Sequence, residues 1–371
     1  GGRRAWLPQR AMAGPATAPA SAPAKGTGAM VLAVDELNAG CRRYGAVRGS
    51  RRPWTIRRLL PSDLPAIRAI NAATYGGHDY VAACFQGWLE REGRSLWTAA
   101  VEDGEGSLAG LEVLSLYDGG RTGWLEALRV QPCCRGRGVA TALQSHLVAL
   151  ARDTLGLSRV RFTTATGNVP SRRLAASCGL DVAASWGVLA PRRRMTLSDL
   201  AVRLRAVQAR LTRKYAGASG WQCGVPTASV PPATATLLAA HGKEAKLPFL
   251  LQYNWKAFDF TLQNLEALLQ AGQHEEPLLL PPLGGEGCAS SSGLGSFSWA
   301  FRQRDALGLT VFVTVYASRL PEALAHMAAQ AEAAVEARAD HLMLMYEPSL
   351  EPTLHLHGLV ERSSTPSDGG P

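Results

Sequence analysis

The first folded half of the chain has a hydrophobic pattern that changes from strand to helix. Three apolar runs, at 96–102, 107–117 and 121–130, are separated by the turn sequences DGEG and DGG. This spacing predicts three antiparallel strands. After Gly138 the apolar residues recur at helical spacing and form one stripe, made of Val139, Leu143, Leu147 and Leu150. The pattern therefore predicts a domain with both strands and helices over 54–190.

The second half of the chain repeats the order strand, helix, strand. The runs at 309–317 and 341–348 are typical of strands, and the run between them, 321–339, is typical of a helix. A helix followed by a linker is predicted at 191–247, where the composition becomes rich in Arg and then in Ser, Thr, Pro and Ala. These changes predict five regions: a tail at 1–53, a first domain at 54–190, the helix and linker at 191–247, a second α/β domain at 248–360 and a disordered tail at 361–371.

The net charge lies mostly in the first 53 residues. The chain has 39 basic and 30 acidic residues, a formal charge of +9, and residues 1–53 hold nine of the basic and two of the acidic ones. The remainder carries only +2, so we expect no nucleic-acid partner. The Arg-, Ala- and Pro-rich start is typical of an organelle transit peptide or of a disordered tail. An intracellular location is expected, in the cytoplasm or, with a transit peptide, in the chloroplast or mitochondrion.

Cysteine usage and hydropathy narrow the class further. The seven cysteines include no CxxC pair, which favours free thiols in a reducing compartment and predicts no metal site. No run of about 18 apolar residues occurs, so no membrane partner is expected.

A basic, glycine-rich corner joins the third strand to the predicted helix. It reads QPCCRGRGVATALQ (131–144). The first N–H groups of a helix lack backbone partners, the helix dipole adds positive potential there, and glycines let a bulky anion approach. The corner therefore predicts a phosphate-binding loop, and an ordinary tight turn is the alternative. It is neither a Walker A loop nor a Rossmann fingerprint, because both motifs are absent.

The same corner resembles the (R/Q)xxGx(G/A) motif of the GNAT acetyltransferases, through Arg135, Gly138 and Ala140. With the element order, the resemblance covers 54–190. It implies a GNAT fold with a mixed, mostly antiparallel sheet flanked by helices, and the second half would be a degenerate GNAT-like copy. It also implies acetyl-CoA as co-substrate and no metal. The resemblance implies that acetyl-CoA is bound along its pantetheine by Leu128, Arg129 and Val130. It implies binding of the pyrophosphate by Arg135, Gly136, Arg137, Gly138, Val139 and Ala140, with Asn168 and Ser171 bordering the CoA.

Two carboxylates interrupt apolar strands. Glu112 and Glu126 are candidates for the base that removes a proton from the acceptor amine, because a glutamate in an apolar strand is costly without a role or a partner. Glu126 occupies the place where many GNAT enzymes keep their base; a solvent-facing or salt-bridged glutamate is the alternative. Ala175 stands where the family pattern has a tyrosine that protonates the leaving thiolate. Solvent or Ser177 would then serve, and a non-catalytic acyl-CoA-binding module stays open.

A second resemblance concerns the acceptor. The stretch NAATYGGHDYVAACFQGWL (71–89) is similar to the segment before the substrate site in histidine N-acetyltransferases, a GNAT group with a long C-terminal extension. It implies an N-acetyltransferase for a free amino acid, histidine in particular, with Tyr75, Asp79 and Tyr80 binding the small-molecule substrate. Aromatic packing is the alternative for Tyr80. An acceptor at a protein N-terminus, or another small amine, is the alternative for the activity.

Overall fold

The computed structural model describes residues 42–43, 54–74, 79–102, 106–191, 195–214, 250–253, 255–271, 278–280, 296–305, 308–317, 320–357 and 359. The chain divides into two compact units. The first unit is Gly1–Val182 with Asn254–Phe258, and the second is Ala183–Tyr253 with Asp259–Pro371. A short segment far along the chain therefore belongs to the first unit.

The first unit contains a six-stranded sheet in the order β1-β2-β3-β4-β5-β6. Its strands are β1 (Arg42–Arg43), β2 (Thr55–Arg57), β3 (Leu96–Glu102), β4 (Leu108–Tyr117), β5 (Thr122–Val130) and β6 (Arg159–Arg161). Neighbours from β1 to β5 are antiparallel, and β6 is parallel to β5. This confirms the predicted mixed, mostly antiparallel sheet and its hairpins. The last strand of this sheet, β6, is short and pairs with β5 at three positions.

Helices cover both faces of this sheet. They are α1 (Leu64–Ala72), α2 (Val81–Arg91), α3 (Val139–Ala149) and α4 (Val169–Ser177). Ile67 of α1 and Phe85 of α2 share a buried core with Val113 of β4, on what we call the acceptor face of the sheet. Leu143 of α3 shares a second core with Leu125 of β5, on what we call the α3 face. The predicted stripe of α3 is buried throughout.

The second unit contains a five-stranded sheet in the order β10-β11-β12-β13-β7. The remaining strands are β7 (Gly187–Leu189), β8 (Leu250–Tyr253), β9 (Lys256–Asp259, which begins in the first unit), β10 (Leu278–Leu280), β11 (Phe297–Asp305), β12 (Gly308–Tyr316) and β13 (His341–Tyr346). The remaining helices are α5 (Leu197–Lys214), α6 (Leu262–Ala271), α7 (Leu320–Glu336) and α8 (Glu351–Leu356). The strand β7 pairs with β13 in antiparallel orientation and so belongs to this second sheet.

The second sheet repeats the connectivity of the first. β11 and β12 are antiparallel, and α7 connects β12 to the parallel strand β13, as α3 connects β5 to β6. The predicted second α/β region is therefore present. No described helix is long and apolar enough to cross a membrane.

Candidate active site

Strand β5 has a bulge at its centre. Val113 pairs with Glu126, but Leu111 already pairs with Arg129, so Ala127 and Leu128 together lie opposite Glu112. Ala127 has a φ of 61°, which is unusual for a residue with a side chain and costs of order 1–3 kcal/mol. A bulge leaves an extra residue outside the ladder and bends its strand. The strand therefore presents a peptide group that its β4 neighbour does not use.

The other edge of β5 opens in the same place. β5 and β6 pair at only three positions, ending at Trp124 and Arg161. β5 continues to Val130, and no strand in the described part of the chain pairs with it on that side beyond Trp124. The stretch predicted to bind pantetheine, Leu128–Val130, lies on this open edge. An edge of this kind can offer backbone groups to a ligand, although the Leu128 carbonyl already accepts a hydrogen bond from Nη1 of Arg129 at 3.0 Å.

The glycine-rich corner follows directly. Gly136 and Gly138 have φ values of 72° and 82°, a left-handed conformation that glycine adopts without steric cost. Gly138 is the N-cap of α3 and contributes no side-chain hydrogen bond to it, so a ligand can reach the first N–H groups of the helix, near Val139 and Ala140. Arg135 and Arg137 are exposed beside them. Positive potential and unpaired donors are thus present where the pyrophosphate was expected.

Asn168 and Ser171, which are predicted to border the CoA, form the N-terminal cap of α4. Asn168 caps the helix, with its side-chain oxygen accepting from the Ser171 backbone N–H at 3.3 Å. Its side-chain nitrogen donates to Thr164 at 3.1 Å. Both residues therefore have a structural role, and their contact with CoA stays a prediction.

Glu126 lies on the acceptor face of β5 and is held on two sides. Its Oε1 accepts a hydrogen bond from Ser115 Oγ at 2.8 Å. Its Oε2 is 3.3 Å from the Nζ of Lys256. The side chain is 13 % exposed. It is therefore oriented, charge-paired and still reachable, as a proton acceptor must be.

Lys256 is the functional candidate that the sequence pattern did not single out. It begins β9, in the segment of the first unit that lies beyond residue 253. Its Nζ donates to the Tyr117 hydroxyl at 2.6 Å and lies 5.0 Å from the centre of that ring. Nearby, Arg161 pairs with Asp118 at 3.2 Å and approaches the Ala257 carbonyl at 3.5 Å. These contacts anchor the segment that carries Lys256.

The electrostatics of this cluster favour charged Lys256 and neutral tyrosines. Burial lowers the pKa of Lys256, but Glu126 and Tyr117 raise it by more, so the pKa lies above its ordinary value. Burial and the charge of Glu126 raise the pKa of Tyr80. The pKa of Tyr117 is raised chiefly by burial, against the effect of Lys256. Burial and Glu126 raise the pKa of Cys84 to about 11. At neutral pH the tyrosines and the thiol thus keep their protons.

Glu112 is on the opposite face from Glu126. It pairs with Ala99 of the α3-face core, whereas Glu126 pairs with Val113 of the acceptor-face core. Glu112 is buried, and its Oε2 has no hydrogen-bond partner. Burial holds the pKa of Glu112 well above its ordinary range. The structure does not bring the two carboxyls together.

Asp79, predicted to bind the acceptor, is already paired with a cation of the chain. Its oxygens accept from Nε and Nη2 of Arg129 at 2.6 and 2.8 Å, and its side chain is fully buried. Arg129 also lies 5.6 Å from the centre of the Tyr80 ring. The side chain of Arg129 thus ties β5 to the segment just before α2, and the contact of its backbone with pantetheine stays a prediction. Tyr75 lies outside the described residues.

The position where the family pattern has a tyrosine is occupied by a buried alanine. Ala175 is buried, and the hydroxyl of Ser177 donates to the Leu174 carbonyl at 2.7 Å. Among the described residues, no group of three or more His, Cys, Asp or Glu side chains could hold a metal ion.

Comparison with known proteins gives a family for part of the chain. The model of the acetyltransferase (GNAT) family matches residues 60–180. A histidine N-acetyltransferase of Xenopus tropicalis is 32 % identical over 108 residues, which are 29 % of this chain and 32 % of that protein. A human protein named "Probable N-acetyltransferase 16" is 35 % identical over 98 residues, 26 % of each chain. The match thus spans about a third or less of the length of these relatives.

Solved structures also match part of the chain. An aminoglycoside N-acetyltransferase, AAC(6')-Iy, in complex with CoA is 20 % identical with a TM-score of 0.31, over 36 % of this chain and 91 % of that one. A spermidine N-acetyltransferase from Vibrio cholerae in complex with CoA and spermine is 19 % identical with a TM-score of 0.30, over 38 % and 88 %.

Proposed function

We propose that this chain, which carries a domain of the GNAT acetyltransferase family over residues 60–180, transfers an acetyl group from acetyl-CoA to the α-amino group of a free amino acid. One observation carries the proposal. A bulged strand with an open edge holds an oriented carboxylate, Glu126, and leads directly into an uncapped, glycine-bent helix start.

The residues of the corner fit the phosphates of acetyl-CoA. Gly136 and Gly138 have no side chain that would hinder an anion at their positions, and the uncapped N-terminus of α3 offers N–H donors. Arg135 and Arg137 add charge. The backbone of Leu128–Val130 would hold the extended arm. When bound, acetyl-CoA supplies the activated thioester.

In this reaction the residues of the chain would remove a proton from the acceptor ammonium and stabilise the negative charge that develops on the thioester oxygen. An α-ammonium has a pKa of about 8 and attacks only after losing its proton. Glu126 would take that proton, directly or through one water molecule. As the amine nitrogen bonds to the carbonyl carbon, an N–H of the bulged strand would stabilise the oxyanion. The nitrogen then gives its second proton to solvent, the carbon–sulfur bond breaks, and the thiolate takes a proton from solvent.

Histidine is the first acceptor to test, because relatives that match here are named histidine N-acetyltransferases. Asp79 is tied to Arg129, so we assign it to shaping the pocket wall. Tyr80 keeps its role as a wall of the acceptor pocket, since it lies on the same face as Glu126 and its pKa is raised in part by that residue. Tyr75 and the border residues Asn168 and Ser171 remain candidates.

Ala175 supports a second candidate function, that of a non-catalytic acyl-CoA-binding module. Without a tyrosine in that slot, the chain would be an acyl-CoA-binding module that lacks catalysis. Such a module would bind CoA but release no thiol with any amine.

Thiol release from acetyl-CoA tests the proposal. The full chain is assayed against each free amino acid, against a short peptide and against acetyl-CoA alone. Release above background with an amino acid, highest with histidine, supports it. Release only with the peptide transfers the activity to protein N-termini. CoA binding without release from any acceptor contradicts catalysis.

A further inference from the structure

Two of the ion pairs on the acceptor face of the first unit differ in how tightly their members are bound to each other. Asp79 and Arg129 form a two-point pair, in which both carboxylate oxygens are used and the Asp79 side chain is fully buried. Glu126 and Lys256 meet at one point, at 3.3 Å, with side chains that are 13 % and 20 % exposed. The second pair is therefore the one that an entering molecule can separate.

Each member of the open pair is supported by a separate neighbour. Ser115 donates to Glu126 Oε1, away from the oxygen that faces Lys256. Tyr117 accepts from Lys256 Nζ, which has three donors to share. When the pair opens, both side chains keep one hydrogen bond and hence their orientation.

We infer that Lys256 selects acceptors that carry a carboxylate next to the amine, by binding that carboxylate while Glu126 receives the amine. The inference rests on the proposed function and names its substrate class. An α-amino acid has its ammonium and carboxylate on one carbon atom, so the two groups can engage only side chains that are themselves neighbours. The 3.3 Å separation of Glu126 and Lys256 satisfies that condition.

The physical reason is an exchange of ion-pair partners. The acceptor's ammonium replaces Lys256 beside Glu126, and its carboxylate replaces Glu126 beside Lys256. No charge in the site loses its counterion. An amine without a carboxylate would leave the Lys256 ammonium without its carboxylate in a mostly buried position, which is strongly unfavourable.

The same argument separates the acceptor classes. A peptide N-terminus has its carboxyl group in an amide bond, and a decarboxylated amine has none. With either acceptor, the ammonium of Lys256 would have no carboxylate beside it. The residue therefore favours free amino acids over peptides, amides and simple amines.

The test measures kcat/KM for histidine, histidinamide and histamine with the parent chain, Lys256→Met and Lys256→Arg. The amide and the amine keep the imidazole, so only the carboxylate changes. We expect the parent to prefer histidine by at least about 30-fold, the typical effect of removing one partner of a buried charge pair. Lys256→Met should reduce the preference to less than about 5-fold, through loss of histidine turnover, and Lys256→Arg should retain part of it.

Two controls separate a role in selection from loss of structure. Arg68→Met removes one cation from an exposed position on α1 of the same unit and should leave the preference unchanged. Tyr117→Phe removes the hydroxyl that holds Lys256 while keeping the ammonium, so it should reduce the preference by less than Lys256→Met does. If Lys256→Met does not fold, Tyr117→Phe and Lys256→Arg carry the test.

The outcomes distinguish this inference from the proposed function. Equal turnover of all three acceptors by the parent, or an unchanged preference in Lys256→Met, overturns the role of Lys256 and leaves acetyl transfer standing. Absence of thiol release with every amino acid overturns the proposed function. In that case calorimetry with the same three ligands decides the point: tighter binding of histidine that disappears in Lys256→Met supports the inference, and equal binding overturns it.

Discussion

The two strand–helix–strand crossovers of this protein have the same connectivity but different strand pairing. In the first unit, β4 and β5 are interrupted by the bulge opposite Glu112, and β5 pairs with β6 at only three positions. In the second unit, β11 and β12 pair at nine successive positions without a shift, and β12 pairs with β13 at five. The comparison indicates that the same connectivity can carry either an interrupted or a continuous pairing of strands. In the first unit, β5 has a bulge towards β4 and an early end of pairing towards β6.

The turns into the two helices differ in the same sense. The first has two left-handed glycines before α3. The second has the sequence ASRLPEAL (317–324), without glycine. Helix α7 instead buries polar side chains that bond with β11: His326 is 3.1 Å from Ser298 Oγ and 3.2 Å from Ser296 Oγ. These buried polar groups of the second unit support its packing, whereas the side chains of Glu126 and Lys256 in the first unit are partly exposed.

Glu126→Gln should have the largest effect, because it removes the proposed base of the first crossover and keeps its shape. We expect kcat for acetyl transfer to fall by about 10²- to 10⁴-fold, with CoA affinity unchanged. Steady-state thiol release and CoA titration measure the two quantities. Turnover equal to that of the parent would show that Glu126 is not the base.

Acid should weaken the second crossover through His326. Burial lowers the pKa of His326 to about 4, so between about 6.5 and 4 the unfolded chain binds a proton that the folded chain does not. Above about pH 6.5 this residue does not lower the free energy of unfolding. As the pH falls from there towards 4, the free energy of unfolding decreases by roughly 2–3 kcal/mol. Hydrogen exchange of the α7 and β11 amides between pH 4 and 7 measures it.

In His326→Gln the same exchange should change less with pH, although the unit is weaker at every pH because two serine contacts change. An unaltered pH slope in this variant would assign the acid sensitivity to other groups.

Gly138→Ala should weaken acetyl-CoA binding specifically. A side chain at a φ of 82° costs roughly 1–2 kcal/mol, so we expect the Kd for CoA to rise about tenfold, or the loop to shift. The matched control is Gly308→Ala in the second unit, where φ is 114° and an added Cβ would meet the Asp340 carboxylate. That variant should lose stability but keep its CoA affinity. Equal effects of both variants on CoA binding would contradict the assignment of the corner.

Glu112→Gln should have the smallest effect on turnover. It tests whether a carboxyl on the α3 face contributes to catalysis, as Glu126 on the acceptor face is proposed to do. Burial raises the pKa of Glu112, so its contribution to stability is present at low pH and is lost as pH rises through the folded pKa. Glutamine has no charge to bury, so the variant should be as stable as the parent at acid pH and more stable at neutral pH. Turnover should stay within about threefold, since Glu112 does not reach Glu126. A loss comparable to that of Glu126→Gln would restore Glu112 to the proton path.

The local elements could be predicted from the sequence because their signals are short-range. The DGG turn sets the β4–β5 hairpin, the stripe from Val139 to Leu150 sets the buried side of α3, and Gly138 marks its start. The alternation of apolar residues also indicated that Glu126 interrupts a buried strand. Its face could not be assigned, because this depends on the register between two strands.

The charge pairs could not be predicted, because they join residues far apart in the chain. Nothing around Lys256 in the sequence YNWKAFDF indicates that it meets Glu126. Asp79 and Arg129 were each assigned a separate role, and the structure pairs them across 50 positions. Long-range pairing of this kind leaves no periodic pattern in the sequence.

The sequence by itself determined the order of strands and helices and the position of the glycine-bent corner, since hydrophobic period and turn chemistry act over a few residues. Only the tertiary structure decided which carboxyl is reachable and which cation faces it. The bulge at Ala127 and the register of β4 put Glu112 in the α3-face core and Glu126 on the acceptor face. The folding of 254–258 into the first unit then brought Lys256 to Glu126. Burial and charge balance are properties of the packed chain, and packing joins residues that the sequence keeps apart.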